Sequence, residues 1–248
     1  MELTIIGAGP AYTDRRGAAA SSYLLRAEGA AIVLDLGQGS FSNLAAELEP
    51  SGLTAVVISH LHPDHMIDLI PLRHYLKWEF EPPRRVRVLG PSRLADRLDS
   101  LLGEPGFTAL ALDVAALAPG EMRLGPFTLE TRRVAHTDES FGFRVTAAGS
   151  SRGLVYSGDC GHAEDLAPLI RAGDTLLSEA SFGAGPVPPG AEHITSGDAG
   201  RVAAGARAAR LVLTHVLAGH SRDEALRAAE ANFSGPVEFV TEGDRFDL

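Results

Sequence analysis

Apolar residues in the first part of the chain fall into short runs, each ended by glycine or a polar turn. Residues 3–6, 22–26, 31–36 and 55–59 have the length and composition of neighbouring sheet strands. Between and after them the spacing changes. Residues 43–48, 66–78 and 94–102 place their apolar side chains three and four positions apart, as helices laid over that sheet do. Strand character returns at 127–134, 141–146, 153–157 and 175–178, so the second half rebuilds a sheet. The pattern closes with a helix over 197–208, a strand over 211–214, a helix over 222–231 and a short strand over 237–240. The Gly/Pro-rich stretch 183–190 reads as an irregular loop, and Pro119-Gly120 as a turn. Strands mixed with helices in both halves, some joined by tight turns, predict an α/β chain with a mixed sheet covered by helices.

Composition narrows this picture. With 248 residues, 45% of them hydrophobic, and no repeat or linker, the expectation is one domain over 1–248. The opening MELTIIGAG reads as a first strand rather than a signal peptide. Every apolar run is broken well short of the roughly 18 residues that span a bilayer, so a cytoplasmic protein without a membrane partner is expected. The turn Gly7-Ala8-Gly9-Pro10 lacks the third glycine of a dinucleotide fingerprint. A single cysteine, Cys160, excludes an internal disulfide and a thiolate-rich zinc site, leaving His and carboxylates as metal ligands. The formal net charge of -10 disfavours long nucleic acid and points to a small-molecule substrate. Arg84, Arg85 and Arg87 read as a solvated loop and strand edge. Tyr75, Leu76, Trp78 and Phe80 mark a candidate homodimer face, although a helix packing on the sheet explains most of that patch.

The chemistry is concentrated after the strand at 55–59. His60-Leu61-His62-Pro63-Asp64-His65 packs three imidazoles and one carboxylate into six positions. At a strand end, residues i and i+2 point the same way, so His60 and His62 can converge on one cation. Pro63 then turns the chain so that Asp64 and His65, opening the next helix, face a second. Completing two shells requires further ligands at strand ends, and His136, Asp159 and His215 stand there. Asp159 has two oxygens and can bridge. A lone histidine after a strand is more often an ordinary hydrogen-bonded residue; the six-residue cluster is what makes these three ligands. The donor set suits two divalent ions, Zn²⁺ foremost, with Mn²⁺ and Fe²⁺ not separated by ligand type. His74, His162 and His220 lie outside the pattern, His162 nearest the rim. Asp68 is placed to hydrogen-bond a ligand imidazole.

These motifs resemble the metallo-β-lactamase superfamily over nearly the whole chain, with H-x-H-x-D-H at His60 to His65 and single ligands at His136, Asp159 and His215. The resemblance implies a four-layer αββα sandwich. It implies one metal on His60, His62, His136 and Asp159, and a second on Asp64, His65, Asp159 and His215. Asp35 in Asp35-Leu36-Gly37-Gln38-Gly39 and Glu179 in Ser178-Glu179-Ala180-Ser181 match positions that orient ligands. Within the superfamily, Ser140-Phe141-Gly142-Phe143-Arg144 and Glu192-His193-Ile194-Thr195-Ser196 are similar to the phosphodiesterase branch that includes ribonuclease Z, where the histidine matching His193 assists cleavage. The segments 22–26, 59–65, 135–144, 156–159 and 213–215 look most like the actinobacterial atypical class II cyclic-nucleotide phosphodiesterases. The interval between His136 and Asp159 has no room for the tRNA-gripping exosite usual in ribonuclease Z.

The expected reaction is therefore hydrolysis of a small phosphodiester such as a 3′,5′-cyclic nucleotide, with a metal-bridging hydroxide as nucleophile. Asp64 would orient it and His193 would assist the leaving oxygen. Free amides of the helix beginning near Ser196 would seat a phosphate oxygen. An ester, lactone or thioester hydrolase and a ribonuclease Z-like nuclease are the enzymatic alternatives, and a catalytically silent metal-bound sensor is the alternative of another class.

Overall fold

Valine, isoleucine and leucine occupy consecutive positions in the central strands, so each such strand has apolar residues on both faces. Val56 and Val57 illustrate it: the first packs under helices and the second against another sheet. A computed structural model describing residues 1–248 shows the result. Strands β1 (Glu2–Gly7), β2 (Ser22–Ala27) and β3 (Ala30–Leu34) form an antiparallel meander, and β4 (Ala55–Val57), β5 (Val86–Gly90) and β6 (Leu112–Ala116) continue it in parallel. Helices α1 (Ser40–Glu47), α2 (Pro63–Met66), α3 (Leu69–Trp78) and α4 (Leu94–Leu102) make the crossovers.

The chain then passes at Pro119 into a second sheet. There β7 (Gly120–Leu124), β8 (Phe127–Arg133), β9 (Phe141–Ala147) and β10 (Gly153–Tyr156) are antiparallel, and β11 (Thr175–Glu179), β12 (Arg210–Thr214) and β13 (Val237–Phe239) follow in parallel. Helices α5 (Ser196–Gly205) and α6 (Arg222–Glu230) cover it, and β14 (Arg245–Asp247) returns to pair with β1. Both sheets have seven strands, ordered β14-β1-β2-β3-β4-β5-β6 and β13-β12-β11-β10-β9-β8-β7. One apolar cluster fills the space between the sheets, a second lies under α1, α3 and α4, and a third under α5 and α6. The αββα layering expected from the resemblance is what forms, and no helix is long and apolar enough to cross a membrane.

Several boundaries differ from the sequence expectation. The helix expected over 66–78 is broken into α2 and α3. Pro71 lacks an amide and its ring would clash with the carbonyl of Ile67, so the helix restarts after Asp68. Helix α1 begins at Ser40 rather than at residue 43, and α5 ends at Gly205 rather than at 208, where Arg207 turns left-handed at φ 57° and Ala208 N donates to Ala203 O. Strands β5, β6, β7 and β14 were not expected. Three of these are edge strands with mixed exposure, and β5 carries the exposed Arg87 among buried neighbours. The apolar patch at 75–80 is smaller than its sequence implies, because Leu76 is buried in the core while Trp78 is 68% exposed.

Candidate metal centre

Strands β3 and β4 run parallel, as do β10, β11 and β12, and β8 acquires the same direction through two antiparallel pairings with β9. Their C-terminal ends gather polar residues at one edge of the sandwich, as open α/β sheets do. Asp35 follows β3, His60 to His65 follow β4, His136 follows β8, Asp159 follows β10, Glu179 ends β11 and His215 follows β12. Close backbone approach makes this compact: a Cβ on Gly37 would stand 1.9 Å from the Asp64 carbonyl oxygen.

Two groups form there, His60, His62, His136 with Asp159, and Asp64, His65, Asp159 with His215. In each, ligand-type atoms lie within 4.8 Å of one another. Each group takes two residues from the first sheet and two from the second, and Asp159 belongs to both. His60 Nε2 is 3.0 Å from His62 Nδ1, which is 3.1 Å from His136 Nε2, and the Nε2 atoms of His65 and His215 are 3.3 Å apart.

The far side of four rings identifies these approaches. His65 Nδ1 donates to Asp35 Oδ2 at 2.7 Å, His136 Nδ1 to the Glu192 carbonyl at 2.7 Å, His215 Nδ1 to Ser181 Oγ at 3.1 Å and His60 Nδ1 to Ser59 Oγ at 3.0 Å. Each acceptor assigns the ring proton to Nδ1 and leaves the Nε2 lone pair facing inward. The two serines accept because their own hydroxyls donate onward, Ser59 to Asp35 and Ser181 to Glu179. Bare lone pairs this close cannot satisfy one another. Nitrogens about 2.0–2.1 Å from one tetrahedral ion stand roughly 3.3 Å apart, so the spacing fits a shared divalent cation. Asp159 Oδ1 is buried without a hydrogen-bond partner, which a cation would also relieve.

Electrostatics pull the neighbours apart. Burial and nearby His65 depress His60 well below an ordinary imidazole. Burial opposes charge on His65 as well, yet Asp159 and Asp35 carry it well above that range. Burial would raise the Asp159 carboxyl, but His215 and His65 hold it well below the usual carboxylate range. Such opposed shifts within one cluster are typical of functional sites.

Beyond the clusters, Asp35 accepts from Ser59 N at 2.6 Å and from the buried Tyr156 hydroxyl at 2.7 Å, besides His65. Tyr156, Ser59 and Ser181 escaped the sequence reading, since a hydroxyl on a strand looks the same whether or not it braces a site. Asp35 and His215 both adopt left-handed backbone, φ 59° and 58°, a conformation uncommon outside glycine and often found at functional sites. His193 Nδ1 donates to Glu179 Oε1 at 3.0 Å, and its ring lies 4.7 Å from that of His136. Burial works against charge on His193, but the Glu179 carboxylate raises its basicity above an ordinary imidazole. Asp64, Asp159, Ser181, His193 and His215 line a cleft of about 270 Å³.

Two expectations are corrected. Asp68 touches no imidazole; its Oδ2 accepts from Phe41 N at 2.8 Å at the start of α1, because the break before α3 aims it there. The first turn of α5 offers fewer free amides than expected, since Ser196 N donates to Gly183 O and Asp198 N to Thr195 Oγ1. His74 and His162 are exposed away from the cluster, and His220 reaches His193 only through the Phe182 ring.

Comparison with known proteins identifies the family of the chain. Residues 32–216 match the model of the beta-lactamase superfamily domain. An uncharacterized protein of Mycobacterium leprae is 37% identical over 236 residues, 92% of this chain and 82% of that one. The probable metallo-hydrolase YhfI of Bacillus subtilis is 26% identical over 98% of both chains, and its crystal structure superposes with a TM-score of 0.88 over 99% of each. A ribonuclease Z of Metallosphaera sedula is 26% identical over 98% of this chain and 97% of its own.

Proposed function

We propose that this chain, which belongs to the metallo-β-lactamase superfamily and is a metallo-hydrolase, is a dinuclear phosphodiesterase acting on a small phosphodiester such as a 3′,5′-cyclic nucleotide. The observation that carries the reading is the Glu179–His193 pair beside two ligand groups that share Asp159. His60, His62, His136 and Asp159 would hold one ion, and Asp64, His65, Asp159 and His215 the other, with Zn²⁺ favoured by the donor types. Two such ions supply a water ionised near neutral pH and positive charge for the non-bridging phosphate oxygens.

The chain's own groups do the rest. Asp64, whose Oδ2 lies 3.2 Å from His215 Nε2, orients the attacking oxygen from the buried side. Asp35, Ser59 and Tyr156 keep His65 and His60 in the tautomers that turn Nε2 inward. His193, held through Nδ1 by Glu179, presents its other nitrogen to the departing oxygen and gives it a proton or hydrogen bond. A phosphodiester's alkoxide leaving group needs that proton. A small substrate is supported by the net charge of -10 and by the segment between His136 and Asp159, which is used up by β9, β10 and their turns.

Activity of metal-analysed protein on bis(p-nitrophenyl) phosphate and 3′,5′-cyclic AMP tests the reading. Turnover of both, lost in Asp159→Ala with the metal and slowed in His193→Ala with metal retained, is expected. Full activity of His193→Ala would remove its assigned role. Turnover only of esters, lactones or thioesters would replace the reading by a carbonyl hydrolase, and tight ligand binding without any turnover by a sensor.

A further inference from the structure

The cleft does not end at His62. That ring also lines a second pocket of about 410 Å³, whose walls are the start of α4, with Arg93, Asp96 and Arg97, and the loop after His136, with Asp138 and Glu139. The two walls are tied together. Glu139 Oε2 accepts from Ser92 N at 2.6 Å and Ser92 Oγ at 2.7 Å, and Glu139 Oε1 accepts from Arg133 at 2.9 Å. Those bonds occupy the Glu139 carboxylate, whereas Arg93, Arg97, Asp96 and Asp138 take part in none of the chain's ion pairs.

Two unpaired guanidiniums and two unpaired carboxylates leave the pocket near neutral. A second phosphate would gain two cations but meet two anions. An apolar group would find Leu61 as its only hydrophobic wall. What matches is a neutral planar heterocycle that presents hydrogen-bond acceptors and amino donors together. An arginine fork donates to the N7 and carbonyl acceptors of a purine, carboxylates accept from its amino and ring N–H groups, and a guanidinium plane stacks on its face. We infer that the pocket between α4 and the loop after His136 is a purine-base subsite, set so that a nucleotide whose phosphate lies in the metal cleft passes over His62 and places its base between Arg93, Arg97, Asp96 and Asp138. The inference rests on the phosphodiesterase reading and assigns selectivity to residues outside the metal clusters.

Calorimetric titration of metal-loaded protein with AMP, GMP and ribose 5-phosphate decides it. At least one purine mononucleotide should bind about tenfold tighter than ribose 5-phosphate, which lacks only the base. Arg97→Ala or Arg93→Ala should shrink that ratio to about threefold or less, and Asp96→Asn should change the preference between AMP and GMP. In turnover, the ratio of kcat/KM for cyclic AMP over bis(p-nitrophenyl) phosphate should fall by about tenfold in Arg97→Ala. Equal binding of ribose 5-phosphate and both mononucleotides overturns the subsite, and so does an unchanged ratio in both Arg97→Ala and Arg93→Ala. If neither phosphodiester is hydrolysed, the reading of the reaction fails while the titration still decides the pocket.

Discussion

The two ligand groups share one carboxylate but sit in different surroundings. Asp64, His65, Asp159 and His215 are all buried, and the imidazoles are braced from behind by Asp35 and Ser181. In the other group His62 is exposed, turns Nδ1 inward, and has no brace on its far nitrogen. The same residue types therefore make a rigid half and an open half. His62 is the one member of these groups that lines both pockets, whereas Asp64, Asp159 and His215 line the metal cleft alone.

Removing the shared residue should have the largest effect. Asp159→Ala should take bound metal, measured by elemental analysis, from about two ions per chain to below one and lower turnover by more than about a thousandfold. Two ions retained would break the comparison, since the groups would not depend on their common member. Next, His65→Ala should destabilise the metal-free protein by about 3 kcal/mol, because the buried Asp35 keeps its neutral donors Ser59 and Tyr156 but loses its charged partner. His62→Ala should cost about 1 kcal/mol or less. Urea unfolding of both variants checks the contrast, and equal losses would erase the distinction between halves.

A smaller effect is expected behind the ligands. Tyr156→Phe removes one donor to Asp35 and should weaken metal affinity by about 10–100-fold, read by competition with a chromophoric chelator. Smallest is the helix after His193. Thr195→Ala removes the reciprocal cap with Asp198 and should cost about 1 kcal/mol. Burial raises the Asp198 carboxyl, but the Thr195 hydroxyl and amide hold it below its usual range. Its contribution is thus fully present above an unfolded aspartate's value of about 3.9 and is lost as pH falls through the depressed native value. Unfolding between pH 2 and 5 should show a shallower acid limb in the variant.

The convergence of these residues into two clusters was legible because His60 to His65 stood together after an apolar strand, and because His136, Asp159 and His215 each followed a strand of their own. Most internal strands were legible because they are apolar on both faces; β5 was not, because Arg87 interrupts its apolar run. Edge strands β6, β7 and β14 were not, since one-sided burial leaves little apolar signal. Asp68 was misplaced because sequence distance from His65 does not reveal the break that Pro71 imposes. The pocket beside His62 was invisible to the sequence, for its two walls are joined by Ser92, just before α4, and Glu139, 47 residues on.

Pro119, where the chain leaves one sheet for the other, sets an order on synthesis. His60 to His65 emerge from the ribosome well before Asp159 and His215, and each ligand group needs two residues from either side of that crossing. A nascent chain holding only its first sheet has half of each candidate group and no complete one. With these residues as ligands, metal capture would be deferred until the second sheet has docked, and an ion bound with full strength would be a record that both halves were translated and joined.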